Sequence, residues 1–333
     1  MTVVPDAGST SRLALGLQIV PTMPAAEIIE TIRVAESLGY EYCMIADEGF
    51  MQDIYVCLGA AAGVTESIRL GVVTNGYTRH PAVTAAALAT VNELSGGRAF
   101  VTLVAGGTMV LQPMGIERAR PLAVIDDTIA VLRALWKGEP VDWQGKQLRL
   151  EGAQLSHGRQ SIPIWVAARG EQILELAGRI ADGLVLMAKA DLGDAIDVAG
   201  RSGRDLTLMY LDRLAFTPEM IEEARGLYGY AILDSPPRVL RNLGIDEVTI
   251  EQMRVAFARG GAAAIAPLVT DEMVAAYQIA GSPDECRSQL EQMIGQHGID
   301  GFLINIIATG LEANERLLGD VAEIVRGARS PRS

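Results

Sequence analysis

Apolar residues along the chain fall into two alternating patterns. Short uninterrupted runs occur at 13–20, 42–46, 68–73, 99–104, 162–166, 183–187, 206–211 and 301–307. Between them lie segments with apolar residues near helical spacing, such as Leu122, Ile125, Ile129, Leu132 and Leu135 in 121–136. Further helices are predicted over 25–38, 52–64, 171–180, 192–199 and 313–325. A run that is apolar throughout reads as a strand covered on both faces, and a helix between two strands makes them parallel. The stretch 67–107 shows the unit best. An apolar run meets the polar loop 74–80, Pro81 opens an Ala-rich helix, Gly96-Gly97 ends it, and a second run follows. In such units chemistry gathers where strands end and loops begin, here at Thr74-Asn75-Gly76 and Gly106-Gly107.

Repeated strand–helix units predict either an open doubly wound sheet or a closed (β/α)8 barrel. Eight runs and a length above ~250 residues favour the barrel, as a single domain over 1–333. Two segments break the repeat. Residues 140–163 predict a hairpin turning at Gln144-Gly145, and 230–285 a helical insertion punctuated by Ser235-Pro236-Pro237 and Gly281-Ser282-Pro283. The ends, 1–12 and 327–333, are expected to be flexible.

Charge then narrows the partners. The net charge of −13 and a pI near 4.8 argue against nucleic acid or an anionic membrane. Cys43, Cys57 and Cys286 form no CxxC pair, which fits a reducing cytoplasm. The first dozen residues lack the signal-peptide pattern, and no apolar stretch is long enough to span a bilayer.

Candidate chemistry is sparse. His80, His157 and His297 have no metal-ligand spacing, so no metal is expected, and His80 reads as a loop histidine at a helix start. No phosphate loop or serine nucleophile elbow is present, and Cys43 reads as core. The strand at 162–166 runs into Arg169-Gly170-Glu171 and a helix. That is either an anion site, made of free N–H groups with an added cation, or an ordinary turn. Asp47-Glu48 follows the second strand. A charged pair there faces the catalytic mouth of a barrel, or else is a solvated pair or a cap.

The block TNGYTRHPAVTAAALATVNELSGGRA resembles the TNPYTRHP…ELSxGRA block of the luciferase-like flavin and deazaflavin oxidoreductases. LGLQIVP, AESLGYEYCMIAD, IPIWVAARGEQILELAGRIADGLVL, SPPRVLRNLGI and AGSPDECRSQLEQMIGQHGIDGFLI resemble further segments of that family. The match spans nearly the whole chain and is nearest to the coenzyme F420-dependent 5,10-methylenetetrahydromethanopterin reductases. The resemblance implies a (β/α)8 barrel holding a deazaflavin that exchanges a hydride at C5 with an electrophilic carbon. It implies cofactor contacts at Asp47, at Val72, Val73, Thr74 and Asn75, at Ala105 and Gly106, and at Arg169, Gly170, Gln172 and Ile173. It also implies a cis peptide at Val72-Val73.

The chain departs from the pattern at Glu48 (His in relatives), Gln18 (Glu), Gly107 (an acid) and Gly76 (Pro). Glu48 and Tyr77 stand as candidate acids, and Gln18 and Arg79 as substrate contacts. General acid catalysis contributes roughly 10²–10⁴-fold, so these changes bear on the substrate. Imine or iminium, carbonyl and activated-alkene substrates stay open. An FMN-dependent monooxygenase and a non-catalytic flavin-binding protein remain alternatives. A homodimer or homotetramer is expected.

Overall fold

The computed structural model describes residues 13–307 and 310–328, so the flexible ends expected from sequence lie outside it, save for 327 and 328. The first half runs β1 (Ala14–Val20), α1 (Ala25–Ser37), β2 (Tyr42–Ala46), α2 (Ile54–Ala62), β3 (Arg69–Thr74), α3 (Pro81–Leu94) and β4 (Ala99–Leu103). A short α4 (Thr108–Leu111) and α5 (Pro121–Leu135) follow, then the hairpin β5 (Val141–Gln144) and β6 (Arg149–Ala153). Next come β7 (Ile164–Ala167), α6 (Glu171–Ile180), β8 (Gly183–Leu186), α7 (Leu192–Gly200) and β9 (Thr207–Asp212). The chain closes through α8 (Pro218–Leu233), α9 (Pro237–Asn242), α10 (Glu247–Ile265), α11 (Asp271–Tyr277), α12 (Pro283–His297), β10 (Gly301–Ile307) and α13 (Leu311–Gly327). Eight strands form a closed parallel barrel in the order β1-β10-β9-β8-β7-β4-β3-β2. The (β/α)8 expectation holds.

Local chemistry explains the element ends. His80 accepts from the Ala82 N–H through Nδ1 and caps α3, with Pro81 in its first turn. Gly96 and Gly97 take positive φ, and the Gly97 N–H bonds back to Asn92 O, which stops the helix. The β5–β6 turn is held by α5, whose Asp127 carboxylate accepts the N–H groups of Lys146 and Leu148. Arg98 ties the barrel's lower face together. Its guanidinium donates to Ile68 O (2.7 Å), Thr65 O (2.8 Å) and Thr65 Oγ1 (3.0 Å).

The helical insertion differs from its predicted bounds. It begins at α8, where Thr217 caps and Pro218 fills the first turn, and ends with α11. Residues 283–297 instead form the barrel helix α12, started by a Ser282–Glu285 capping box. The insertion has its own small core, including Ile232, Val239, Met253, Ile265 and Tyr277.

Side chains alternate along each strand. Cys43, Ile45, Leu70, Val72, Val101 and Leu103 join the layer under the helices. Met44, Phe100, Trp165, Val185, Met209 and Leu303 fill the barrel interior. Tyr42, Phe100 and Trp165 pack together there, with ring centroids 4.8–5.8 Å apart. Glycines make the room. A Cβ on Gly71 would lie 2.3 Å from Phe100 Cζ, on Gly183 2.7 Å from Trp165 Cδ1, and on Gly16 2.4 Å from Leu303 Cδ2. Gly71→Ala should therefore cost about 1–3 kcal/mol in urea unfolding. Adding Phe100→Leu should return much of that loss, and an unchanged midpoint in the single variant would refute the fit.

Candidate active site

A cavity of about 580 Å³ opens at the C-terminal ends of the barrel strands, within the range usual for small-molecule sites. One wall is built from small residues: Ala105, Gly106 and Gly107 after β4, and Ala167, Ala168 and Gly170 at the end of β7. A Cβ on Gly107 or Gly170 would meet nothing within 4 Å, so both glycines border open space. Gly170 begins α6 with no side-chain cap. Ile173 and Leu174 N–H groups bond back to Gly170 O, leaving those of Glu171 and Gln172 at the start of the helix to face an acceptor. Across from this wall, α8 brings Leu227, Tyr228 and Tyr230.

The residues expected from sequence separate into two groups. Ala105, Gly106, Arg169, Gly170 and Ile173 line the cavity. Asp47, Val72, Val73, Thr74, Asn75 and Gln172 do not. Val72 lies in the outer layer beneath the helices, and Val73, one residue on, packs with the interior cluster. The Asp47 carboxylate accepts from Thr74 Oγ1 (2.9 Å) and Thr78 Oγ1 (3.3 Å). Asn75 Oδ1 accepts the Tyr77 and Thr78 N–H groups and so shapes the 74–80 loop. Among the described residues every peptide bond is trans, so the expected cis bond at Val72-Val73 is absent. β3 keeps an unbroken ladder with β2 and β4 through this point, as extended trans backbone allows.

The candidate acids and substrate contacts are also displaced from the wall. Glu48 is half-buried, and burial together with the neighbouring Asp47 charge pushes its carboxyl up. Tyr77 donates its hydroxyl to Ala119 O at 2.8 Å, and its ring flanks Gly106. Gln18 Nε2 donates to Asn305 Oδ1 at 3.3 Å, which puts it behind Asn305, a lining residue. Arg79 pairs with Asp53 at 3.0 Å and lies 4.2 Å from the centre of the Tyr55 ring, so it serves α2 rather than the cavity. Gly76 has a packing cause: a Cβ there would lie 2.4 Å from Thr128 Oγ1 of α5.

Arg169 lines the cavity, yet its charge is largely committed. Its side chain is 14% exposed and pairs with Asp191, 7% exposed, at 2.9 Å. It also donates to Ala231 O and Ser235 Oγ, which ties the barrel to the insertion. Burial pushes Asp191 up, and Arg169 pulls it back. An anion held at the start of α6 would thus meet backbone N–H groups more than this cation.

Several wall residues carried no expectation: Met187, Ala188, Asp212, Arg213, Tyr228 and Asn305. Asp212 is a buried hub. It accepts from Tyr228 OH (2.6 Å), Tyr210 OH (3.2 Å), Arg213 N (2.6 Å) and Ile279 N (2.8 Å). Burial pushes its carboxyl up. Asp212-Arg213 is a charged pair at a strand end, the same signal that singled out Asp47-Glu48. Ala188 takes φ +65, a strained backbone at the cavity wall. Among the described residues no cluster of His, Cys, Asp and Glu could hold a metal, and no helix is long and apolar enough to cross a membrane.

Comparison with known proteins matches residues 4–301 to the luciferase-like monooxygenase family model. The 5,10-methylenetetrahydromethanopterin reductase of Methanolobus tindarius is 31% identical over 298 residues, covering 85% of this chain and 91% of the relative. That of Archaeoglobus fulgidus is 30% identical over 303 residues, covering 84% and 90%. The solved coenzyme F420-dependent tetrahydromethanopterin reductase of Methanopyrus kandleri superposes with a TM-score of 0.83 at 26% identity, covering 94% of this chain and 98% of that one.

Arg169→Ala should strand Asp191 as a buried unpaired charge and cost about 3–5 kcal/mol in urea unfolding. Adding Asp191→Asn should restore most of the loss. A midpoint equal to that of the unmodified protein would show that the pair contributes nothing.

Proposed function

The chain belongs to the luciferase-like monooxygenase family, and we propose that it is a coenzyme F420-dependent oxidoreductase acting on a small organic molecule. The electrophilic carbon it addresses belongs to an imine or iminium, a carbonyl, or an activated alkene. The observation that carries this reading is the wall of small residues ending at the uncapped start of α6. A flat ring system needs such a wall for close approach, and an anionic tail needs free N–H groups at a helix start. The near-full-length likeness to the reductases supports the deazaflavin over FMN. When bound, the deazaflavin supplies the hydride chemistry, with carbon at the position where a flavin has N5.

The chain's own residues supply the rest. Gly107 and Gly170 leave room for the ring and its tail, and the Glu171 and Gln172 N–H groups meet negative charge. Leu227, Tyr228 and Tyr230 on α8 restrict water on the opposite side. Asn305, held from behind by Gln18, presents a neutral amide to the cavity, whereas the family resemblance puts a glutamate at position 18. The reaction therefore calls on little proton transfer from that side, which suits an iminium best among the three substrate classes.

The outer faces of α2 and α3 supply a surface for self-association. Val56 of α2 and Val83 and Leu94 of α3 are 70%, 52% and 58% exposed, and the small residues Gly59 and Ala60 follow Val56 in α2. The apolar side chains and small residues suit a second copy packed about a twofold axis. Light scattering should give a dimer or tetramer, and Val56→Asp with Leu94→Asp should reduce it to monomer; an unmodified protein that runs as a monomer would reject this.

Titration of the purified protein should give F420 binding more than about tenfold tighter than FMN binding. Anaerobic turnover of reduced F420 should then appear with imines, enones or ketones. Tight FMN binding with negligible F420 binding would overturn the assignment. Gly170→Asp provides a finer test. It should stabilise α6 by roughly a few tenths of a kcal/mol as a cap, while weakening F420 binding by placing negative charge where the tail belongs. Unchanged F420 affinity would return the α6 start to an ordinary turn.

A further inference from the structure

A cation lines the cavity with its guanidinium in no ion pair or hydrogen bond among the described residues. Arg213 follows β9 and shares the wall with Met187, Leu227 and Tyr228. It is half-buried, and among the described residues its guanidinium makes no ion pair and no side-chain hydrogen bond. Burial pushes it below its ordinary value, though a guanidinium stays charged at any working pH. The other two arginines of the wall are engaged: Arg169 with Asp191, and Arg118 through Nε with Ala105 O. The neighbouring Tyr228, Glu223 and Asp212 favour the Arg213 charge through space but make no ion pair or hydrogen bond with its guanidinium, and the Asp212 oxygens already accept from Tyr228, Tyr210, Ile279 and the Arg213 backbone N–H. The backbone is also specialised here. Leu214 is buried with φ +52, a conformation uncommon for any residue but glycine, asparagine or aspartate. A half-buried fork of N–H donors facing the cavity fits a ligand that brings an acceptor pair.

The position is separate from the start of α6. Barrel order runs β7-β8-β9, so the ends of β7 and β9 stand roughly 10 Å apart at the usual strand spacing. Two anion-reading positions in one cavity fit two ligands, or two ends of one. Leu227 and Tyr230 add exposed apolar surface on the Arg213 side. We propose that Arg213 reads a carboxylate or phosphate on the small molecule that reacts in this cavity, so that the substrate is an anion with an apolar body. This rests on the oxidoreductase reading above and makes Arg213 the residue that sets substrate class.

Benzoate and inorganic phosphate serve as probes, with benzamide as the neutral control, all at constant ionic strength. Thermal unfolding is followed with each probe for the unmodified protein, Arg213→Gln and Arg213→Lys, in the presence and absence of F420, and F420 affinity is measured for all three. The expected result is that benzoate raises the unfolding midpoint where benzamide does not. Arg213→Gln should abolish that shift, Arg213→Lys should keep part of it, and F420 affinity should stay within about threefold throughout. Benzoate and benzamide acting alike on the unmodified protein would overturn the proposal, as would a benzoate shift that survives Arg213→Gln. A loss of F420 affinity of about tenfold or more in Arg213→Gln would assign the anion to the cofactor and overturn the substrate assignment. An Arg213-dependent benzoate shift in a protein that binds no F420 would uphold the anion site and reject the oxidoreductase reading instead.

Discussion

The architecture depends on a fit between aromatic rings and missing side chains inside the barrel. Tyr42, Phe100 and Trp165 pack at 4.8–5.8 Å, and they do so because Gly71 and Gly183 leave their strands bare at the points of contact. Interiors of this density tolerate neither added methyl groups nor voids. With the rings in place the interior is filled below its mouth, the strand ends are held at fixed spacing, and the loops above inherit that spacing. Arg98 reinforces the opposite face by binding carbonyls from the α2–β3 connection.

The cavity wall then joins two bodies of structure. The barrel contributes small residues and a helix start, and the insertion contributes α8 with its tyrosines and Leu227. Two buried acids bind these bodies together. Asp191 pairs with Arg169, which in turn holds Ala231 O and Ser235 of the insertion. Asp212 accepts from Tyr228 of α8 and from Ile279 beyond α11. The charges of Arg169, Asp191 and Asp212 at this mouth are therefore structural, while the Arg213 and Asp234 side chains face the cavity outside those pairs.

Much of this was legible in the sequence. The eight strands could be read because strands buried on both faces are apolar throughout, and that same uniformity concealed which face each residue takes. Val72 and Val73 are indistinguishable as letters, yet one lies under the helices and the other packs in the interior. Arg169 could be placed at a helix start, but its partner Asp191 sits beyond another strand, and tertiary pairing leaves no local mark. The insertion's bounds were misread because Ser282-Pro283 is a helix start for the barrel as much as a break in the insertion. Arg213 carried the same strand-end signal as Asp47-Glu48, with no family motif to draw attention to it.

A barrel stopped by aromatic rings has one door. The mouth that admits a first ligand is the mouth through which a second must pass, and α8 narrows it on one side. A molecule seated deeper against the small-residue wall is covered by whatever follows. Where two ligands share such a mouth, the residence time of the inner one is governed by the departure of the outer one.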